Sequence, residues 1–300
     1  MKSVRILLDH LIDYAGLFPP AQLTMPDAVR NFGAYQAAAD QRMLGRFIVP
    51  VARLAEFEEA VRALPPQTGK KKPWRLSALG GQNLENDMQL VSDFNRETAA
   101  WGREGGPHID TLELRVSKVQ DVERAAALVP QGFHVHMEIL INTDPAGLID
   151  AIARLGLRAK VRTGGIYAEL IPEAADVVRF LECCRGQRVA FKATGGLHHP
   201  LRGVHPLTGN HNGPSALMHG FLNLFLGAAF CYSGVHSSDL VRLLEDGDPR
   251  SLRFEETGVS WGLHRVTAEE LKTVREKFAL SFGSCSFEEP MEGLRSLGLL

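Results

Sequence analysis

The chain has 300 residues, of which 45% are hydrophobic, and this is enough for one large core. It carries 33 Lys and Arg against 35 Asp and Glu, so it lacks the basic excess that is typical of nucleic-acid-binding proteins. The most apolar stretch, residues 216–232, contains His219 and Asn223 and falls short of a membrane span. We therefore expect no nucleic-acid partner and no membrane insertion.

The four cysteines, at positions 183, 184, 231 and 285, form no C-x-x-C pair and no disulfide framework, which indicates a reducing compartment. The apolar run within residues 1–16 is too short and too interrupted by acids for a signal peptide. A cytoplasmic location is the expectation. The sequence leaves open whether the chain is a monomer or a homo-oligomer.

Short apolar runs typical of strands alternate with longer segments of helical periodicity. Predicted strands cover 46–51, 74–79, 111–116, 134–141, 157–162, 189–193 and 280–283, with an eighth around 6–12 or just after it. Predicted helices cover 52–63, 83–101, 120–129, 145–155, 172–184 and 267–278. Repeated strand–helix units predict an α/β fold, a (β/α)8 TIM barrel; a doubly wound open sheet is the alternative.

One stretch breaks this regularity. Residues 198–266 are too long for one loop and helix, so we interpret them as an insertion before the last strand, within a single domain over residues 1–300. Insertions of this kind often cover the mouth of a barrel. We predict that the segment forms a lid and that His198 or His199 reaches the cavity.

Charged side chains recur on one face of four consecutive predicted strands, because alternate residues of a strand point the same way. The groups on that face are Glu113 and Arg115, His136 and Glu138, Lys160 and Arg162, and Lys192 and Thr194. In a barrel they meet in the interior. They form either a structural layer of ion pairs or a functional site, since buried charges are costly unless they are paired or used.

Two of these strands run into similar glycine turns, KVRTGG from Lys160 and KATGG from Lys192. Glycines let backbone N–H groups approach an anionic ligand, although a plain strand-to-helix turn also uses them. Positive charge on Arg162 and Lys192 would disfavour the protonated form of Lys160. A neutral amine can form a Schiff base with a carbonyl compound. Glu138, Glu113 or Asp110 would then transfer protons.

In these motifs the sequence resembles the deoxyribose-phosphate aldolases, which are class I (Schiff-base) aldolase barrels. AKVRTGG and VAFKATGG are similar to two successive family strands that read Lys-Thr-Ser-Thr-Gly and Lys-Ala-Ser-Gly-Gly. In the same order as in the family, further similar segments are LIDYAGLFPPAQLTMPDAV, IDTLELRVSK, VHMEIL and LSFGSCS. The resemblance covers most of the chain outside the insertion.

The resemblance implies that Lys160 is the Schiff-base lysine, that Lys192 tunes it, and that Asp110 is the acid/base carboxylate. The apolar residues Leu112 and Leu114 instead favour Glu113 as the inward carboxylate. The family's small Thr-Ser is replaced here by Val161-Arg162, so the family's substrate is not carried over. We expect a small anionic substrate to be bound by Arg162, Thr163, Thr194, Gly195, Gly196, His198, His199, Gly283 and Ser284.

The histidines that follow the second turn are His198, His199, His205, His211 and His219. With Glu113, His136 and Glu138 they are candidate ligands for a divalent metal, although their spacing matches no compact metal motif. Hydrogen bonding within loops is the plain alternative, and a general acid/base role for His198 or His199 is the preferred functional one.

Three functions follow. The first is a cofactor-free lyase of the class I aldolase type, and the second is a metal-dependent barrel enzyme. The third is a non-catalytic barrel that binds a phosphorylated or carboxylated ligand.

Overall fold

The computed structural model describes residues 1–64, 73–101, 106–208 and 213–300. The strands are β1 (Ile12–Tyr14), β2 (Leu44–Pro50), β3 (Arg75–Leu79), β4 (His108–Arg115), β5 (His134–Ile139), β6 (Arg158–Arg162), β7 (Phe191–Thr194), β8 (Gly203–Pro206), β9 (Ser215–Met218), β10 (Leu252–Phe254), β11 (Gly258–Trp261), β12 (His264–Thr267) and β13 (Ala279–Ser284). The helices are α1 (Lys2–Leu8), α2 (Met25–Ala37), α3 (Leu54–Arg62), α4 (Leu84–Ala99), α5 (Val119–Leu128), α6 (Ala146–Arg154), α7 (Ala174–Gly186), α8 (Phe221–Tyr232), α9 (Ser237–Leu244), α10 (Ala268–Lys277) and α11 (Glu288–Ser296).

Eight parallel strands close into a barrel in the order β1-β13-β7-β6-β5-β4-β3-β2. The predicted TIM barrel is therefore confirmed, and the open sheet is excluded. The eighth strand is β1, which begins at the end of the predicted 6–12 segment and continues just after it, while residues 6–8 belong to helix α1. Because β1 pairs with both β2 and β13, it closes the barrel.

The strands divide their residues between two environments. Val135, Met137 and Ile139 of β5 belong to the hydrophobic core, as do Ala159 and Val161 of β6. Such buried aliphatic side chains fill the space between a parallel sheet and its helices. The alternate residues of the same strands point into the barrel, and these include the charged Glu138 and Lys160.

Only the first part of segment 198–266 lies at the barrel mouth. Strands β8 and β9 form an antiparallel hairpin, which contributes Pro206, Leu207 and Met218 to the lining of the mouth cavity. Helix α8 is buried from Phe221 to Cys231 and packs against α7, α9 and α10, so it belongs to the wall of the barrel. The small sheet β10-β11-β12 contacts α10, and its strand β11 also contacts α1.

Among the described residues, no helix combines the length and the apolar character that crossing a membrane requires. The four cysteines are all free thiols.

Candidate functional site

The barrel interior holds what we call the buried charge cluster: Asp13, Glu113, Glu138, Lys160 and Lys192. Nζ of Lys160 lies 2.7 Å from Oε2 of Glu113 and 2.5 Å from Oε2 of Glu138. Nζ of Lys192 lies 2.6 Å from Oδ2 of Asp13 and 2.5 Å from Oε1 of Glu113. Glu113 therefore bridges the two lysines. Burial of these charges is tolerated because each has a partner of opposite sign.

Strand register brings these groups together. Lys160 of β6 is the direct partner of Glu138 on β5 and of Lys192 on β7. Glu113 projects from β4, which is two strands away from β6, so its ion pair with Lys160 spans the interior. The carboxylates of Glu113 and Asp13 also accept hydrogen bonds from serine hydroxyls, from Ser77 Oγ at 2.6 Å and Ser281 Oγ at 2.8 Å.

The pKa values of the cluster reflect this pairing. Burial raises the pKa of the Glu113 carboxyl, but Lys160 and Lys192 outweigh burial and hold its pKa well below the usual value. Burial lowers the pKa of the Lys192 amine, but Asp13 and Glu113 outweigh burial and raise its pKa. Lys192 is thus held as a cation by its carboxylate partners.

A cavity of about 410 Å³ opens at the carboxyl ends of the strands. Lys160 and Glu113 contribute to its lining from within the barrel, and Arg162 contributes from the rim. The Lys160 side chain is only 3% exposed, so it is reachable chiefly through this cavity and an adjoining one of about 580 Å³ that Glu138 lines. Active sites of TIM barrels lie at this end.

The two glycine turns contact each other through their backbones. Gly195 has φ +79°, and a Cβ there would lie 2.4 Å from the carbonyl oxygen of Gly164. On the other side of β7, Thr194 is the direct partner of Gly283. Thr194, Gly195, Gly196 and Gly283 all line the cavity, beside the guanidinium of Arg162. The structure therefore gathers these five predicted residues at one place.

The pKa values of two adjacent histidines at the mouth are shifted in opposite directions. Burial lowers the pKa of His198, but hydrogen bonds with Cys285 and Glu289 outweigh burial and raise the pKa to about 10. Nδ1 of His198 lies 2.9 Å from Oε2 of Glu289. Burial, followed by repulsion from His205 and His198, lowers the pKa of His199 to about 4, and its ring stacks on His205. At neutral pH His198 is therefore a cation and His199 is neutral.

Five predicted site residues lie outside the lining of the mouth cavity: Lys192 of the buried charge cluster, Glu138, which lines the adjoining cavity, and Asp110, Thr163 and Ser284. Asp110 is held by Arg46 at 2.6 Å and Arg75 at 2.7 Å, near the amino end of β4. Thr163 Oγ1 donates a hydrogen bond to the carbonyl oxygen of Gly195 at 2.7 Å, so it supports the turn. Ser284 is buried at 2% exposure, and its carbonyl accepts a hydrogen bond from Ala15 N. Of the two candidate acids on β4, Glu113 is the one in the cluster.

Sequence reasoning missed Asp13 and Cys285. The signal for Asp13 was present, because it is an acid between apolar residues in the segment LIDYAG, but that segment was not recognised as a complete strand. Cys285 lies at the mouth, with its Sγ 3.9 Å from His198 Nδ1. The two residues are 87 positions apart in the chain, so no local sequence pattern predicts their contact.

Within the described ranges, no three His, Cys, Asp or Glu side chains are arranged to hold a metal ion. His211, one of the predicted candidates, lies outside the described residues. Neither the protein-family models nor the curated proteins with which we compared the chain give a match. Function must therefore be inferred from the geometry of the site.

Proposed function

We propose that the protein is a lyase of the class I aldolase type, in which Lys160 forms a Schiff base with a small anionic carbonyl compound. One observation carries the proposal: Nζ of Lys160 borders the mouth cavity and lies within 2.7 Å of two carboxylates, Glu113 and Glu138. An amine nucleophile needs a nearby base to take its proton, and both carboxylates are at hydrogen-bond distance.

The proposed chemistry follows from these contacts. The ammonium of Lys160 gives a proton to a carboxylate, and the free amine attacks the carbonyl carbon. The proton is then returned to the carbinolamine hydroxyl, which leaves as water and gives an iminium ion. The iminium then accepts the electron pair of the breaking carbon–carbon bond and becomes an enamine, while a carboxylate takes the proton of the β-hydroxyl group, whose carbon is released as an aldehyde. Lys192 would stabilise Glu113 as the carboxylate through their 2.5 Å contact.

The rim of the cavity supports an anionic substrate. Arg162 donates two hydrogen bonds to Glu138 Oε1 and also lines the cavity, and protonated His198 adds a second positive charge there. Gly195 and Gly196 place backbone without side chains in the cavity lining, where an anionic group can approach the N–H groups. In this proposal the β8–β9 hairpin closes over the bound substrate.

A second candidate is a barrel that binds an anionic ligand without catalysis. The observation in its favour is that Lys160 is ion-paired with both Glu113 and Glu138. A lysine paired in this way can serve as a structural cation that neutralises two buried carboxylates.

Borohydride trapping separates the two candidates. The full chain is incubated with pyruvate or with glyceraldehyde 3-phosphate, reduced with sodium borohydride, and analysed by intact mass and peptide mapping. The lyase proposal expects a single adduct on Lys160, absent in Lys160→Ala and retained in Lys277→Ala, a change at an exposed lysine on α10. Adducts spread over surface lysines, with none on Lys160, would reject the Schiff base for these carbonyl classes.

A further inference from the structure

A separate cavity of about 510 Å³ lies at the amino-terminal end of the barrel, opposite the mouth. Arg75, His134 and Arg158 are the first residues of their strands, and Arg46 is the third residue of β2; all four line this cavity. On β6, Arg158 precedes Lys160 by two residues, so both point to the same side of the strand, about 6–7 Å apart along it. The two cavities are therefore at different depths of one barrel.

The lining of this cavity is strongly positive. It includes eight Lys and Arg side chains but only two carboxylates, those of Asp9 and Glu276. Just behind the lining, the one carboxylate of Asp110 is shared between Arg46 and Arg75. Carboxylates within reach therefore neutralise only part of the positive charge.

Arg158 is a partly buried cation of this lining without a direct counter-ion. Within the described part of the chain its side chain makes no hydrogen bond and no ion pair, although it is partly buried. Burial and the neighbouring Arg46 lower the pKa of Arg158, and burial with repulsion from Arg158 and Arg46 lowers the pKa of His134; at both groups Asp110 acts in the opposite direction but is outweighed. Cations brought this close with too few counter-charges raise the free energy of the fold unless a ligand supplies more negative charge.

We propose that this amino-terminal cavity is a binding site for a phosphate-bearing anion, held by Arg158, Arg46 and Arg75. Guanidinium groups match the geometry of phosphate oxygens and bind them through paired hydrogen bonds. Three of them around one cavity suit a ligand with more than one negative charge. The site is distinct from the mouth, and it does not depend on the Schiff-base chemistry.

Isothermal titration of the full chain at low ionic strength tests the site, with inorganic pyrophosphate as the probe. One pyrophosphate per chain should bind at this cavity, and Arg158→Gln should weaken that binding at least tenfold. Arg154→Gln is the matched control, because Arg154 is exposed on α6 and pairs with Asp150 away from the cavity. Since Arg158 has no protein partner to lose, Arg158→Gln should melt no lower than the unmodified chain without ligand.

Two further titrations identify the class of ligand and the cavity in which it binds. ADP binding as tightly as pyrophosphate supports a phosphorylated organic ligand, whereas pyrophosphate binding alone supports an inorganic one. The proposal is overturned if neither binds. It is also overturned if Arg162→Gln, a change at the mouth, abolishes binding while Arg158→Gln leaves it unchanged.

Discussion

Lys160 and Lys192 stand directly opposite each other on neighbouring parallel strands, and both donate to the carboxylate of Glu113. Two ammonium groups this close inside a barrel would repel each other strongly without a shared counter-ion. Glu113 is therefore the shared counter-ion that makes burial of both ammonium groups in the barrel interior tolerable. The two lysines differ in their second partner. Lys160 has Glu138 and borders a cavity, whereas Lys192 has Asp13 and lies outside the cavity lining.

Glu113→Gln should destabilise the fold by about 3–5 kcal/mol, because it leaves two buried lysines with one carboxylate each. The control is Glu123→Gln, a change at an exposed residue of α5, which should alter stability by less than about 0.5 kcal/mol. Urea denaturation measures both values. A loss below about 1 kcal/mol in Glu113→Gln would show that the cluster is far less strongly coupled than its distances indicate.

The Glu113 carboxylate should also make the free energy of unfolding depend on pH. The pKa of Glu113 lies well below 4.5 in the folded protein. Its contribution to stability is therefore complete above the unfolded value near 4.5 and is lost as the pH falls towards the folded pKa. The free energy of unfolding should decrease on acidification below about pH 4.5. This decrease should be smaller in Glu113→Gln, whereas equal slopes would assign the acid sensitivity to other carboxyls.

Much of the barrel could be predicted from the sequence because its strands carry aliphatic residues on one side and charges on the other. Seven strands lie close to their predicted positions, and the inward charged face of β4 to β7 was predicted correctly. The partners of those charges could not be predicted. Asp13 lies 179 residues before Lys192, and no periodicity relates two positions so far apart.

The part of the chain after β7 was less predictable for a different reason. Helix α8 is apolar all round because it is buried on every side, so it gives no amphipathic signal of its place in the barrel wall. The strands β8 to β12 are only three or four residues long, which is too short for an alternating pattern to stand out from loop sequence.

The two lysines should respond differently in the trapping experiment. Lys192→Met should leave a borohydride adduct on Lys160 but form it more slowly, since the Lys160 ammonium loses the neighbouring cation that repels it and no longer shares Glu113. Lys160→Met should form no adduct. The measurement is adduct mass against time under identical pyruvate concentrations. Adduct formation on Lys192 in the unmodified chain would exchange the roles that we propose.

Replacing glycine by alanine should have opposite effects on stability in the turn after β7 and in helix α6. Gly195→Ala should cost about 1–3 kcal/mol, because the residue has φ +79° and the new Cβ would contact the Gly164 backbone. Gly147→Ala is the control: it lies in helix α6 with open space around its Cβ position, so alanine should stabilise the fold by up to about 1 kcal/mol. Thermal or urea unfolding tests both, and equal effects would contradict the packing of the turns.

His198 and His199 should give opposite pH signatures. The pKa of His198 is raised from 6.5 to about 10, so its stabilising contribution is fully present below pH 6.5 and is lost as the pH rises through 10. The pKa of His199 is lowered from 6.5 to about 4, so its contribution is present above pH 6.5 and is lost as the pH falls through 4.

Unfolding free energies measured from pH 4 to pH 10, the range that these two pKa values span, therefore separate the two residues. His198→Gln should destabilise the protein at pH 6 by roughly 1.5–3 kcal/mol, the usual contribution of hydrogen bonds to a charged group, and should flatten the curve on the alkaline side. His199→Gln should flatten only the acidic side. If His198→Gln leaves the alkaline limb unchanged, the imidazole is not the cation that Glu289 holds at the mouth, and the positive charge available to an anionic substrate there reduces to Arg162 and Arg115.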